Sequence, residues 1–276
     1  MNKEPCILVV TPTLGESKHL GATVESVAAL PLRIDHVLAA PIHCLDQLKS
    51  QFPRVRLVPD AGRLGGIYGA INAALAQTTA APWEWFTYIN DDDLLTPEFA
   101  AMARDHFLLN PPEPVAYGDV DLIDGRDRFI GRVTTEGSPT WIPALLQQGI
   151  SPLMQQGTLF HRPLVERLCG FDTRYRLCAD LDFWLRAYVS GARFRYHRRR
   201  VAKFRIHHGQ LSGDTAVTER EQDEIVRRHL PHPTPLIRRT AARWQYRISN
   251  LPRYVARYRL HGFRTSYQLL RSGAAD

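Results

Sequence analysis

Asp91, Asp92 and Asp93 follow Asn90 directly behind Trp85-Phe86-Thr87-Tyr88-Ile89, an aromatic and β-branched segment that reads as a buried strand. Three neighbouring carboxylates repel one another unless a cation or hydrogen-bond donors offset their charge. A hard cation, Mg²⁺ or Mn²⁺, bridging the phosphates of a nucleotide would use one or two such oxygens. Ligands of open α/β sheets sit beyond the carboxyl ends of strands, where this cluster falls. The alternative is an Asp-rich turn ahead of a helix starting near Pro97.

Three other constellations could carry chemistry. Asp60-Ala61-Gly62-Arg63-Leu64-Gly65-Gly66 runs into Ile67-Tyr68-Gly69-Ala70-Ile71-Asn72, so glycines and a helix start could approach an anion. It is neither a P-loop nor a dinucleotide fingerprint, and a loose connection is the competing reading. Asp180 stands at the first turn of a helix, ahead of the apolar stripe Leu181, Trp184, Leu185, Tyr188. It reads as an N-cap or as a general base at the lip of a cleft, with Asp182 facing the helix dipole or a nearby Arg. In Phe204-Arg205-Ile206-His207, strand alternation puts Arg205 and His207 on one face, for a diphosphate or a metal shell, or as a solvated basic edge.

Alternating strands and helices must position these groups. Strand signals fall at Cys6–Val10, His36–Leu38, Val55–Val58, Trp85–Ile89 and Val115–Asp119. Between them Leu20, Val24 and Val27, then Ile67, Ala70, Ile71, Ala74 and Leu75, recur at helical spacing, and Phe99, Met102, Ala103 and His106 follow the fourth strand. Such βαβ units predict a mainly parallel sheet flanked by helices. Past Ser212 the sheet signals stop; Pro231, Pro233 and Pro235 stiffen a connector into an Arg-rich helical extension.

At 276 residues the chain can bury one large core, or one domain with an extension. No apolar run reaches the ~20 residues of a membrane span. The start, Met1-Asn2-Lys3-Glu4-Pro5, is no signal peptide, and four scattered cysteines lack metal-ligand spacing, so a cytoplasmic protein with reduced thiols is expected. Charge is uneven. Residues 225–276 hold eleven Arg and one acid, a side-chain charge of +10 against +7 for the whole chain, so the remainder is near −3. Arg243 and Arg247, like Arg253 and Arg257, are four apart among Trp244, Ile248, Leu251, Tyr254 and Tyr258. This basic amphipathic pattern suits an anionic membrane surface, or else a helix packed on the preceding α/β domain with Arg in solvent.

In this order the segments resemble glycosyltransferase family 2, inverting enzymes of GT-A fold, over residues 5–215. Thr11-Pro12-Thr13 is similar to the family's opening loop against the nucleotide base, and Asp60 through Asn72 to its D-x-G…Y-[DG]-A-x-N stretch. Asn90-Asp91-Asp92-Asp93 matches its DXD-type motif. Gln156-Gly157-Thr158-Leu159-Phe160 with Gly170-Phe171-Asp172 resembles its acceptor-side segment, which with Trp184 would face the acceptor. Ala179-Asp180-Leu181-Asp182-Phe183-Trp184-Leu185-Arg186 resembles the helix whose first Asp is the base, and Arg205-x-His207 with Gln210-Leu211-Ser212 the closing R-x-H…S element.

The resemblance implies a GT-A domain whose residues 1–115 bind the nucleotide sugar and 116–215 carry the acceptor side and base, followed by the 216–276 extension. Asp92, Asp93 and His207 would hold Mn²⁺ or Mg²⁺. Thr11, Pro12, Thr13, Asp60, Asn72, Asn90, Asp91 and Arg205 would contact the donor, and Asp180 would deprotonate the acceptor. Ala39-Ala40-Pro41 lacks the carboxylate that many members place after the second strand, so Glu16 or Asp60 would substitute in reading the base. The Gln-x-x-Arg-Trp motif of processive synthases is absent, so one sugar per encounter is expected. The expected partners are a nucleotide-diphosphate sugar (UDP-linked by preference), a glycan or lipid-linked acceptor in surface polysaccharide synthesis, and an anionic surface on the inner face of the membrane. No nucleic-acid partner is expected. Rival readings are a sugar-phosphate nucleotidyltransferase, whose basic Gly-rich loop is missing at Thr11–Gly15, and a nucleic-acid-binding protein, which leaves the acids unexplained.

Overall fold

A computed structural model describes residues 4–62, 65–133, 135–207 and 215–262. Nine strands among these residues form one mixed sheet: β1 (Ile7–Pro12), β2 (Ile34–Pro41), β3 (Arg56–Asp60), β4 (Trp85–Tyr88), β5 (Leu94–Leu95), β6 (Val115–Ile123), β7 (Phe129–Arg132), β8 (Leu159–His161) and β9 (Phe194–Arg205). Their order is β3-β2-β1-β4-β8-β6-β9-β5, with β7 beside β6. The first four strands are parallel neighbours, as the alternation predicts. The antiparallel strand β8 then joins β4 to β6, and β6 runs parallel to β9, so one sheet passes through both halves of the domain.

All six residues of β1 are buried because the sheet is covered on both faces. Leu8 and Val10 enter one apolar cluster with Ile71, Ala74 and Phe86, while Ile7 and Val9 enter another with Phe99, Met102 and Ala103. The covering helices are α1 (Leu20–Ala28), α2 (Leu45–Gln51), α3 (Gly66–Gln77), α4 (Pro97–Phe107), α5 (Ile142–Leu146), α6 (Arg162–Arg167) and α7 (Ala179–Val189). Pro97 opens α4 in its first turn, where a missing N–H costs nothing.

The extension is helical: α8 (Thr215–His229), α9 (Leu236–Ser249) and α10 (Leu251–His261). Its proline connector is held by Gln147, which donates to the carbonyls of Leu230 (3.2 Å) and His232 (2.9 Å) and accepts from the Thr234 N–H (2.8 Å). Ala242 and Tyr246 of α9 pack with Ala144 and Leu145 of α5. In α10, Arg253 pairs with Asp119 on β6 and donates to the Val133 carbonyl (3.1 Å). One face of the extension is therefore packed on the α/β domain. The other carries Ile237, Trp244, Ile248 and Leu251 in solvent. No helix among the described residues is long and apolar enough to cross a membrane.

Candidate active site

The acidic loop leaves the sheet where β4 ends and is pinned at its far side by β5, which pairs with β9. A turn bond from the Asp93 N–H to the Asn90 carbonyl (3.2 Å) sends successive side chains in different directions. Asp91 accepts from Thr13 Oγ1 at 2.6 Å, and Ser17 Oγ donates to its carbonyl. Burial pushes the Asp91 carboxyl up to about 6, with the Asp92 charge adding to it. Asp92 lies 2.9 Å from His207 Nε2 through Oδ2.

Asp93 departs from expectation. It is fully buried, Oδ1 accepting from the Arg205 backbone N–H (2.8 Å) and Oδ2 from Gln156 Nε2 (2.9 Å). Burial, then the charge of Asp92, raises its carboxyl well above the usual range. With both oxygens engaged inside the protein it braces the loop instead of facing a cation. Arg205 departs too. Its guanidinium is buried, donates through Nε to the Asp92 carbonyl (2.7 Å) and through Nη1 to the Asp124 carbonyl (3.1 Å), and pairs with Asp127 (2.7 Å). It fixes Asp92 from behind and does not line the cavity where a leaving diphosphate would sit. Because β9 stops at Arg205, alternation does not carry on to His207, which turns into the cavity.

That cavity has a volume of about 690 Å³. Asn90, Asp91, Asp92, His207 and Glu16 line it together with Gln156, Trp184 and Asp180. A divalent cation fits this chemistry: a carboxylate and an imidazole side by side, with Asn90 Oδ1 nearby, buried and without a hydrogen-bond partner among the described residues. These residues hold no cluster of three or more His, Cys, Asp or Glu suited to a metal, so further ligands would have to come from water or phosphate oxygens.

Asp180 reaches the cavity from the first turn of α7, whose N-cap is Cys178, so the capping alternative does not describe it. Its Oδ1 accepts from the Leu181 N–H (2.8 Å) and from Tyr68 OH (3.2 Å). Burial raises the carboxyl to about 6, against these bonds. A carboxylate poised near neutrality inside a cleft has the properties of a general base. Asp182 instead turns inward to Arg186 (2.6 Å), as its expected Arg partner, and to His229 of α8 (2.7 Å).

Several expected donor contacts serve the scaffold. Thr11 is buried and bonded to His36 (3.0 Å), Pro12 is buried at the end of β1, and Thr13 reaches the site only through Asp91. Asp60 ends β3 with Oδ1 accepting from the Gly62 N–H (2.5 Å) and is not among the residues that line the cavity. Asn72 clamps Phe171, donating to its carbonyl (2.8 Å) and accepting from its N–H (2.9 Å), which satisfies the amide without a ligand. Gly157, at φ +74°, would place a Cβ 2.7 Å from Val201, so it is a packing position and not an acceptor contact. Arg63, Leu64, Gln210, Leu211 and Ser212 lie outside the described residues.

Residues that sequence reasoning passed over complete the site. Tyr68 holds Asp180, and it stood in the quoted motif without a role. Glu221 of α8 is buried and accepts three consecutive backbone N–H groups just before Asp180: Arg176 (2.9 Å), Leu177 (2.9 Å) and Cys178 (3.0 Å). Thr218 and Gln222, also on α8, line the cavity, so the extension forms one wall of the site.

A mixed sheet whose parallel half ends in an acidic loop, with a second buried carboxylate on the same cleft, defines an α/β protein with an enzyme-like site. The chain belongs to glycosyl transferase family 2, whose family model matches residues 8–168. It is a glycosyltransferase. Among curated relatives it is similar to glycosyltransferase MT1564 of Mycobacterium tuberculosis, 25% identical over 195 residues covering 68% of this chain and 70% of that one. Among solved structures it shares its fold with Staphylococcus aureus TarS 1–349 in complex with UDP-GlcNAc (TM-score 0.62, 16% identity, 93% of this chain and 74% of that one). It also shares it with the mannosyltransferase PcManGT of Pyrobaculum calidifontis in complex with GDP-Man and Mn²⁺ (0.58, 16%, 99% and 81%). A third is glucosyl-3-phosphoglycerate synthase of M. tuberculosis with Mn²⁺, UDP and glucosyl-3-phosphoglycerate (0.55, 15%, 83% and 81%). The likeness establishes the GT-A fold.

Proposed function

We propose that this enzyme is an inverting, metal-dependent glycosyltransferase that moves one sugar from a nucleotide-diphosphate sugar, by preference UDP-linked, to a hydroxyl of a glycan or lipid-linked acceptor. Its setting is surface polysaccharide synthesis on the inner face of the membrane. The observation that carries this reading is the single cavity shared by Asp92 with His207 and by Asp180. UDP, GDP-Man and Mn²⁺ in the structural neighbours support a nucleotide donor and Mn²⁺ or Mg²⁺.

Asp92 and His207 would hold the cation, which supplies charge neutralisation for the departing diphosphate. Asp180 accepts the acceptor's hydroxyl proton as that oxygen forms a bond to the anomeric carbon and the bond to the diphosphate oxygen breaks. One displacement inverts the configuration. Asn90 and Asp91 are assigned to the donor's ribose side, and Glu16 to its base, because they line the cavity near Asp92. Trp184 and Gln156, with Thr218 and Gln222, are assigned to the acceptor side. The test is a panel of nucleotide sugars with Mn²⁺, read by thermal shift and donor hydrolysis, on the wild type and Asp92→Asn. A donor that stabilises the wild type at least tenfold more tightly than Asp92→Asn is the expected result. No response to any donor, with identical behaviour of the variant, overturns the reading.

A further inference from the structure

At 100° per residue, positions two apart on a helix point in nearly opposite directions. Ala242 and Tyr246 bury one face of α9 against the catalytic domain, so Trp244 and Ile248 point the other way. With Ile237 and Ala241 they recur at spacings of four, three and four, one outward apolar stripe opposite the packed one. Ile237 is 83% exposed, Trp244 59% and Ile248 67%. Leu251, Val255 and Tyr258 repeat the spacing along α10 and are also exposed. Helix α9 thus has two apolar faces and only one of them is covered, so the other leaves apolar side chains in water, which disfavours them.

The charge around this surface selects its occupant. Residues 236–261 carry seven Arg and no Asp or Glu. Arg243 and Arg247 flank the stripe on one side, where long side chains can lay their stems along apolar surface and lift the guanidinium into headgroups. A second copy docking here would set Arg243 and Arg247 of the two copies against one another with no acid in 236–261 to offset them, a like-charge juxtaposition that opposes association. Trp beside Arg is the pairing that suits the boundary between water and hydrocarbon.

We propose that the outward face of α9 and α10, centred on Ile237, Trp244 and Ile248, is a membrane-docking surface that lies in the interface of an anionic lipid bilayer. It deepens the proposed function by naming the surface that would bring the active site to a lipid-linked acceptor. The helices are pre-folded on the catalytic domain through Tyr246 and Arg253, so binding inserts an existing face and orders no new segment.

The test is cosedimentation of the full chain with vesicles of phosphatidylcholine containing phosphatidylglycerol, against pure phosphatidylcholine, at low and high salt. Binding only to the anionic vesicles, weakened by salt, is expected. The triple variant Ile237→Ser, Trp244→Ser, Ile248→Ser should bind about tenfold or more weakly with unchanged thermal stability, since these side chains support no core contact. Equal binding by wild type and variant, or no binding by the wild type, overturns the proposal. So does a concentration-dependent dimer, seen by light scattering, that the variant abolishes. Vesicle binding requires no sugar donor. Its failure therefore leaves the transferase reading standing, and a failed donor panel leaves this one standing.

Discussion

Asp180→Asn separates a catalytic base from a structural residue, because the two roles predict stability changes of opposite sign. The folded protein holds a proton on Asp180 up to about 6, whereas an ordinary Asp releases it near 3.8. Between those values the native state binds a proton that the unfolded chain does not, so stability falls as pH rises through this window. Above about 6 the whole penalty of a buried charge is present, roughly 3 kcal/mol at 1.36 kcal/mol per pH unit. Asparagine keeps the oxygen that accepts from Leu181 and Tyr68 but carries no charge. At pH 8 the variant should therefore be more stable by up to about 3 kcal/mol, a rise in Tm of roughly 5 °C, and at pH 4 the two proteins should melt together. Transfer should be abolished while donor binding, followed by thermal shift, is unchanged. In the wild type, kcat should fall about tenfold per pH unit below about 6, as the base becomes protonated. A variant that melts earlier at pH 8, or that still transfers sugar, refutes the assignment.

Two further substitutions test the frame around Asp180. Glu221→Gln exchanges one carboxylate oxygen for an N–H₂ facing backbone donors, so it should cost about 2–4 kcal/mol, and kcat should fall with the donor KM unchanged. Melting curves and steady-state kinetics check both parts, and a variant with full kcat would show that α8 does not position α7. Gly170→Ala places a Cβ 2.5 Å from Asn72 Oδ1 on a backbone at φ +71°, for a loss on the order of 2–3 kcal/mol. Combined with Asn72→Ala the clash disappears, so denaturant melts of the double variant should show less than the sum of the two single losses.

The parts of this site that were legible in sequence are those set by local pattern. Apolar runs placed β1 and β4, and helical spacing placed α3 and α7. With them came the acidic loop and the first turn that carries Asp180. What local pattern cannot decide is which way adjacent side chains turn once a strand has ended. Asp92 and Asp93 are chemically identical neighbours. Their division of labour depends on Gln156, 63 residues away, and on the backbone of Arg205, 112 residues away. Arg205 and His207 share strand parity, yet β9 stops between them, so one is buried behind the loop and the other opens into the cavity.

Glu221 left a trace that could have been followed. It precedes Ile225 by four residues, and Ile225 is a fully buried apolar position of a mostly polar helix, so an acid on that buried face required donors. Those donors are the three N–H groups ahead of α7, and the same helix reaches Asp182 through His229. The family model matches residues 8–168, so Asp180 and the helix α8 that holds its segment both lie beyond that match. Its neighbouring residues Thr218 and Gln222 line the cavity, so the extension that orients Asp180 also shapes the space an acceptor must enter. On the proposed assignments, base position and acceptor fit are coupled through one helix, and a change in α8 that admits a new acceptor would have to preserve Glu221.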